Sequence, residues 1–208
     1  MIDVSALFLF FSASLLLALA PGPDNLFVLT ESLVHGKKAG IQITLGLCTG
    51  LIFHTAGAAF GLSLIFKNSI WAFNILKYAG VGYLLFLAWK SFRAGIQGKM
   101  KSSQIVLTGF QLYRRGILMN ISNPKVALFF IAFLPQFADP EKNSVFQFFF
   151  LGFLFILATF LVFGSISLLS GWVGEWLSRF PKGEKYLNRM AGGVFTALAL
   201  KLFLTGQK

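Results

Sequence analysis

Charge is scarce in this chain. Acidic and basic residues make up 12% of its 208 residues, and only seven are Asp or Glu. A soluble domain carries about a quarter charged residues, so a water-facing globular surface is excluded. Cysteine is limited to Cys48, inside an apolar run, which rules out an intrachain disulfide and a thiolate metal site. That residue reads as a small packing group. There is no His-Glu-x-x-His, no Walker loop and no Cys/His cluster. Metal-dependent hydrolysis and ATP-driven pumping within this chain are thereby excluded, and neither a metal nor a cofactor is expected; the chain does not read as an enzyme. Gly22-Pro23-Asp24 superficially resembles an intramembrane aspartyl protease motif, but no second intramembrane aspartate exists to form a carboxylate dyad. Short alternating segments are also missing, which argues against a β-barrel.

What is present is apolar. Hydrophobic residues make up 56% of the chain, 26 of them Phe, and they come in uncharged runs of about twenty residues, the length that crosses a bilayer as a helix. The chain is read as an all-α integral membrane protein with six spans at about 4–33, 40–66, 70–91, 115–137, 145–171 and 188–206. The first apolar run ends Ala18-Leu19-Ala20, but no basic residue precedes it and a proline follows, so it reads as a retained span and not a cleaved leader. Trp71, Trp89, Trp172 and Trp176 fall near span ends, as an aromatic belt requires.

The net charge of +11 does not mark a nucleic-acid surface, because the basic residues sit in the connections. Twelve of the eighteen fall in connections 1–2, 3–4 and 5–6: Lys37 and Lys38; six from Lys90 to Arg115; four from Arg179 to Arg189. Lys67, Lys142 and Lys208 lie on the opposite side, and Lys77, Lys125 and Lys201 lie within spans. The positive-inside rule places the twelve-charge side in the cytoplasm and both termini outside. Such clusters also attract anionic lipid headgroups. Lys77 is expected to snorkel to the outer interface, and Glu31 and His35, near the cytoplasmic end of span 1, to be solvated.

Two polar, proline-bearing motifs interrupt this pattern: Pro21-Gly22-Pro23-Asp24 in span 1 and Asn123-Pro124-Lys125 in span 4. A shift of 101 residues superposes Pro23-Asp24 on Pro124-Lys125, and a shift of 111 superposes span 3 on span 6. Three spans per half force the halves to run in opposite senses. The expected architecture is one transmembrane transporter domain over 1–208, built as a 3+3 inverted-topology repeat with Pro-broken helices 1 and 4. Repeat 1 covers about 1–92, a cytoplasmic linker about 93–114, and repeat 2 about 115–208. Paired breaks in corresponding positions are the sequence pointer to a transporter's binding site.

A charge at the bilayer centre costs about 2.5–3.5 kcal/mol on insertion scales, so Asp24 and Lys125 call for a use. They either form an ion pair closing the two halves or flank a cavity, Asp24 toward the ammonium and Lys125 toward the carboxylate of a zwitterionic amino acid. Pro21, Gly22, Pro23, Asn25, Asn123 and Pro124 complete this candidate substrate-binding and gating set. Asn25, Asn120 and Asn123 can bond substrate or satisfy carbonyls freed by the prolines. His54, at the middle of span 2, is either a proton relay or a neutral histidine bonded to a neighbouring helix. Gly46 with Gly50, and Gly57 with Gly61, have the spacing that lets helices approach closely, which leaves a homo-oligomer open.

Pro21-Gly22-Pro23-Asp24-Asn25-Leu26, followed by Gly36-Lys37-Lys38-Ala39-Gly40 and by Asn123-Pro124-Lys125 in span 4, resembles the LysE/RhtB family of bacterial amino-acid exporters, over essentially the whole chain. The resemblance implies efflux of neutral amino acids of the threonine, homoserine or leucine type across the bacterial inner membrane, coupled to the proton motive force. Its partners are then an amino acid, protons and membrane lipid, with no nucleic acid. A non-transporting structural or regulatory membrane protein and a small-solute channel are the rival readings.

Overall fold

The computed structural model describes residues 2–62, 70–94, 107–138, 144–180 and 182–204. Every regular element among them is helical. The end of expected span 2, most of the expected linker, Lys67, Lys142 and the last four residues lie outside the described residues.

The first apolar run is split into α1 (Val4–Leu19) and α2 (Pro23–His35), whose axes differ by 61°. Pro21 and Pro23 cannot donate backbone hydrogen bonds, so the helical ladder fails between them. Gly22 is fully extended, and Pro23 restarts the helix at its first position, where a missing N–H costs nothing. The second break has the same construction. Helix α5 (Gly109–Ile121) ends at Ser122, the side-chain oxygen of Asn123 accepts from the Lys125 N–H (3.0 Å), and Pro124 opens α6 (Pro124–Leu128). A π turn (Phe129–Phe133) and a 3-10 turn (Leu134–Phe137) extend α6, and the bend here is 48°.

The remaining helices are α3 (Lys37–Gly57, prolonged by a π turn over Ala58–Leu62), α4 (Ile70–Arg93), α7 (Ser144–Leu168), α8 (Ser170–Arg179) and α9 (Gly183–Leu204). Among the described residues, three stretches are long and apolar enough to cross a membrane, and up to five if each bent pair counts as one. Helix α4, at 24 residues, has the length for a further crossing. Large apolar side chains such as Phe8, Trp71, Phe153 and Phe203 point outward, an exterior suited to lipid and not to water.

Several boundaries differ from expectation for local reasons. Helix α5 begins at Gly109, six residues early, because Thr108 and Gln111 form a reciprocal capping box. Expected span 5 ends at Leu168, where the backbone at Leu169 turns (φ −99°, ψ 13°) into the short α8. Between α2 and α3 the chain turns at Gly36, with φ +83° and ψ 166°, a region essentially restricted to glycine. No atom lies within 4 Å of where a Cβ would sit, so any penalty there comes from the backbone alone. Gly36→Ala is expected to cost about 1–3 kcal/mol, measurable as a lower unfolding temperature in detergent micelles.

Two hydrophobic clusters make the interior. The larger one joins Phe10 and Leu17 of α1, Phe129, Phe130, Phe133 and Phe137 beyond the second break, Phe148 and Phe155 of α7, and Phe195 and Leu202 of α9. Its phenylalanines stack closely: Phe10–Phe137, Phe129–Phe155 and Phe133–Phe137 have ring centroids 5.2, 5.1 and 5.0 Å apart. The smaller joins Phe27 and Val28 of α2, Ile43 and Leu47 of α3, Leu112 of α5 and Phe163 of α7. The two breaks lie where one cluster gives way to the other.

Candidate functional site

A proline strands the carbonyl four residues before it. Pro21 strands Leu17 in this way, and Pro124 strands Asn120. Stranded carbonyls in an apolar interior need partners, and those partners define the site. Lys125 Nζ, from the second break, donates to the carbonyls of Leu17 (3.2 Å) and Ala20 (3.1 Å) at the end of α1. Asn25 Nδ2 reaches back across the first break to the Ala18 carbonyl (2.8 Å). In the second half, the Asn120 carbonyl accepts from the Asn123 N–H (3.0 Å) and from His54 Nε2 (3.1 Å).

Asp24 is buried, and its carboxylate accepts from Asn123 Nδ2 (2.7 Å). Asn123 therefore acts twice, capping α6 with its oxygen and holding Asp24 with its nitrogen. Asp24 and Lys125 make no direct ion pair among the described residues. Each instead bonds across to the other half of the chain, Asp24 through Asn123 and Lys125 through the carbonyls of α1. The ammonium also stands at the C-terminal, partially negative end of the α1 dipole, where a cation is favoured. Gly22 lies beside it: a Cβ there would stand 3.5 Å from Lys125 Nζ, an ordinary contact distance.

Of the residues singled out from sequence, Gly22, Asp24, Asn25, Asn123 and Lys125 thus come together, with Pro21, Pro23 and Pro124 creating the breaks. His54 stands one step away. A carbonyl can only accept, so Nε2 of His54 carries the hydrogen, and its ring lies 5.7 Å from that of Phe130. Two buried amide oxygens, Asn25 Oδ1 and Asn120 Oδ1, have no partner, and both belong to this site.

Two expectations are corrected. Glu31, expected in solvent, is buried, its side chain 4% exposed, and bonds His35 Nδ1 at 2.8 Å. His35 is itself only 21% exposed. The last turns of α2 pack against α3, α7 and α8, and that cover cannot be inferred from distance to a span end. Lys77, expected to snorkel, is buried, with its ammonium 5.6 Å from the Tyr78 ring centroid. The glycine pair Gly46 and Gly50 serves close helix packing, as its spacing suggests, against Tyr113, Gly116 and Asn120 of α5.

Away from the breaks, a cavity of about 280 Å³ lies between α1, the turns after α6, and α9, lined by Ser5, Leu9, Gln136 and Lys201 among others. Phe133 and Phe137 also line it, and their rings stack with Phe10 and Phe129 in the larger cluster.

The family model described as LysE type translocator matches residues 15–206. The chain is 32% identical over 188 residues to a homoserine/homoserine lactone efflux protein of Salmonella typhimurium, covering 90% of this chain and 91% of that one. It is 30% identical over 199 residues to the uncharacterized membrane protein YrhP of Bacillus subtilis, covering 91% and 94%. A leucine efflux protein of Salmonella typhimurium is 28% identical over 191 residues, covering 91% and 90%. No solved structure matches the chain.

Proposed function

Because this chain belongs to the LysE type translocator family, we propose that it is a secondary active exporter of a neutral amino acid of the homoserine or leucine type. It would act across the bacterial inner membrane with the basic connections on the cytoplasmic side, driven by the proton motive force. The observation that carries this reading is the cross-brace between the two breaks, in which Lys125 holds the end of α1 and Asn123 holds Asp24.

The brace is built from groups that a zwitterion can replace. An incoming carboxylate draws the Lys125 ammonium off the Leu17 and Ala20 carbonyls. The substrate ammonium then supplies those carbonyls with the donors they lose and adds its charge beside the Asp24 carboxylate. The exchange is ammonium for ammonium, so neither half is left with an unpaired buried charge. What changes is the linkage: α1 is no longer tied to α6, and one half can rock against the other. Asn25 Oδ1 and Asn120 Oδ1 offer further acceptors for the substrate. In this reading His54 Nε2 keeps the second break in place, and its ring stands beside the breaks as a candidate relay toward Asp24.

A six-crossing inverted repeat is supported by the way the clusters are shared. Helix α1 precedes its break and α6 follows its own, yet both enter the larger cluster. Helices α2 and α5, on the other sides of those breaks, both enter the smaller one. Helix α3 runs from the smaller cluster to the larger, and α7 runs from the larger to the smaller. Exchanging the halves likewise exchanges the pairings of α3 with α5 and of α1 with α7, and leaves those of α4 with α9 and α3 with α7 unchanged. This is the pattern of two halves inserted in opposite senses.

The test is efflux of preloaded amino acids, one at a time, from proteoliposomes with and without a pH gradient. Saturable efflux of homoserine or leucine that the gradient accelerates is the expected result. Absence of efflux for every amino acid tried would overturn the proposal, and flux that does not saturate would make the protein a channel.

A further inference from the structure

Helix α2 carries three titratable side chains, Asp24, Glu31 and His35. Their spacing of seven and then four residues places them within about 40° of one another on a single stripe, with Glu31 about 10.5 Å along the axis from Asp24. Asp24 and Glu31 are both buried, although the whole chain has only seven acidic residues. Buried carboxylates at membrane depth are expensive and tend to mark ion or proton pathways. Asp24 is occupied at the brace, whereas Glu31 touches nothing the substrate exchange requires.

The surroundings of Glu31 contain few competing charges. On the elements packed against α2, the charged or titratable groups are Lys37, Lys38, Cys48 and His54 of α3, Tyr113, Arg114 and Arg115 of α5, and Glu175 with Arg179 of α8. Helix α7 contributes none. Glu175 and Arg179 pair with each other at 2.5 Å. Tyr113 bonds Thr49 at 2.9 Å. His54 serves Asn120, and Arg115 lies over the Phe27 ring at 4.9 Å. The bonded partner of Glu31 is His35, at 2.8 Å, and histidine is a common proton carrier in proteins. Between the two carboxylates the stripe is apolar: Phe27 and Val28 are buried, and the exposed Arg115 guanidinium lies over the Phe27 ring.

We propose that the Glu31–His35 pair is the cytoplasmic proton-release site of this exporter, in series with Asp24 along one face of α2; the proposal rests on the export reading above. A proton taken up at Asp24 from outside passes to the Glu31 carboxylate when the breaks move and water enters past Phe27. From Glu31 it passes to His35, then to cytoplasmic water, so that one proton moves inward as one amino acid moves out. While the breaks are braced, the Phe27–Val28 turn keeps the two sites apart and prevents a leak.

The test uses two assays on the same proteoliposomes, with radiolabelled homoserine or leucine, whichever the wild-type protein moves faster. Net efflux driven by a pH gradient needs proton release, whereas counterflow at equal pH does not. Glu31→Gln is expected to lower gradient-driven efflux by about a hundredfold while counterflow persists. Loss of both, or of neither, would show a structural residue and overturn the assignment. His35→Gln, which keeps Glu31, is expected to shift the pH at which net efflux is half-maximal, and an unchanged profile would also overturn it. Wild-type protein that shows counterflow but no gradient-driven efflux would instead refute the proton coupling of the export reading, a failure seen before any variant is made.

Discussion

Lys125→Met and Asp24→Asn are each expected to reduce amino-acid efflux to background while the protein still inserts in the membrane. Removing the Lys125 ammonium deprives the Leu17 and Ala20 carbonyls of the donor they have at 3.2 and 3.1 Å. A buried acceptor left without a partner costs about 1–3 kcal/mol, so the α1 end also loosens. The variant lacks the Lys125 ammonium that bridges the two breaks, and the substrate carboxylate has nothing to draw away. Asp24→Asn keeps the shape of the side chain, and its amide oxygen can still accept from Asn123. Its defect should therefore lie in transport and hardly in stability. The two variants are distinguished by thermal unfolding in detergent, where Lys125→Met melts lower and Asp24→Asn melts near wild type. Wild-type efflux by both variants would leave the paired breaks as structural kinks.

The second large effect concerns the crossing of α3 over α5. A Cβ on Gly46 would lie 2.1 Å from the Tyr113 carbonyl oxygen, and one on Gly116 would lie 2.4 Å from that of Ile43. Both obstacles are backbone atoms, so no side chain can swing aside and the helices themselves must separate. Separation would also break the Thr49–Tyr113 hydroxyl contact at 2.9 Å and the His54–Asn120 bond at 3.1 Å. Gly46→Leu and Gly116→Leu are expected to exceed the usual overpacking penalty of about 1–3 kcal/mol and to yield little folded protein in the membrane fraction. Gly57, with open space where a Cβ would stand, supplies the control: Gly57→Leu should alter stability by less than about 0.5 kcal/mol. Equal yields of folded protein for Gly46→Leu and Gly57→Leu would contradict this crossing.

The breaks could be read in one dimension because their cause is local. Proline lacks a donor wherever it stands, so Pro21, Pro23 and Pro124 announce stranded carbonyls before any fold is known. The capping box that starts α5 was equally available, since Thr108 and Gln111 have the required spacing, but it lay in a stretch read as linker. Other features were not local. The burial of Glu31 comes from α3, α7 and α8, which lie near it in space and not in sequence. Lys77 was assigned to the interface from its distance to a span end, and neighbouring helices bury it instead. Spans that are apolar all round carry no periodic signal, so neither side chain could be given a face.

Composition and proline position by themselves determined a helical membrane protein with two polar interruptions of opposite charge, because hydrocarbon length and the missing proline N–H act on the chain locally. Only the tertiary structure decided how those interruptions meet. Asp24 and Lys125 were expected to face one another or a ligand. Packing lends the Lys125 ammonium to the carbonyls of α1 and gives Asp24 to Asn123, contacts that no spacing along the chain announces. The physical reason is the geometry of two bent helices brought together from opposite halves: each stranded acceptor takes the nearest donor in space, and sequence separation has no bearing on which donor that is.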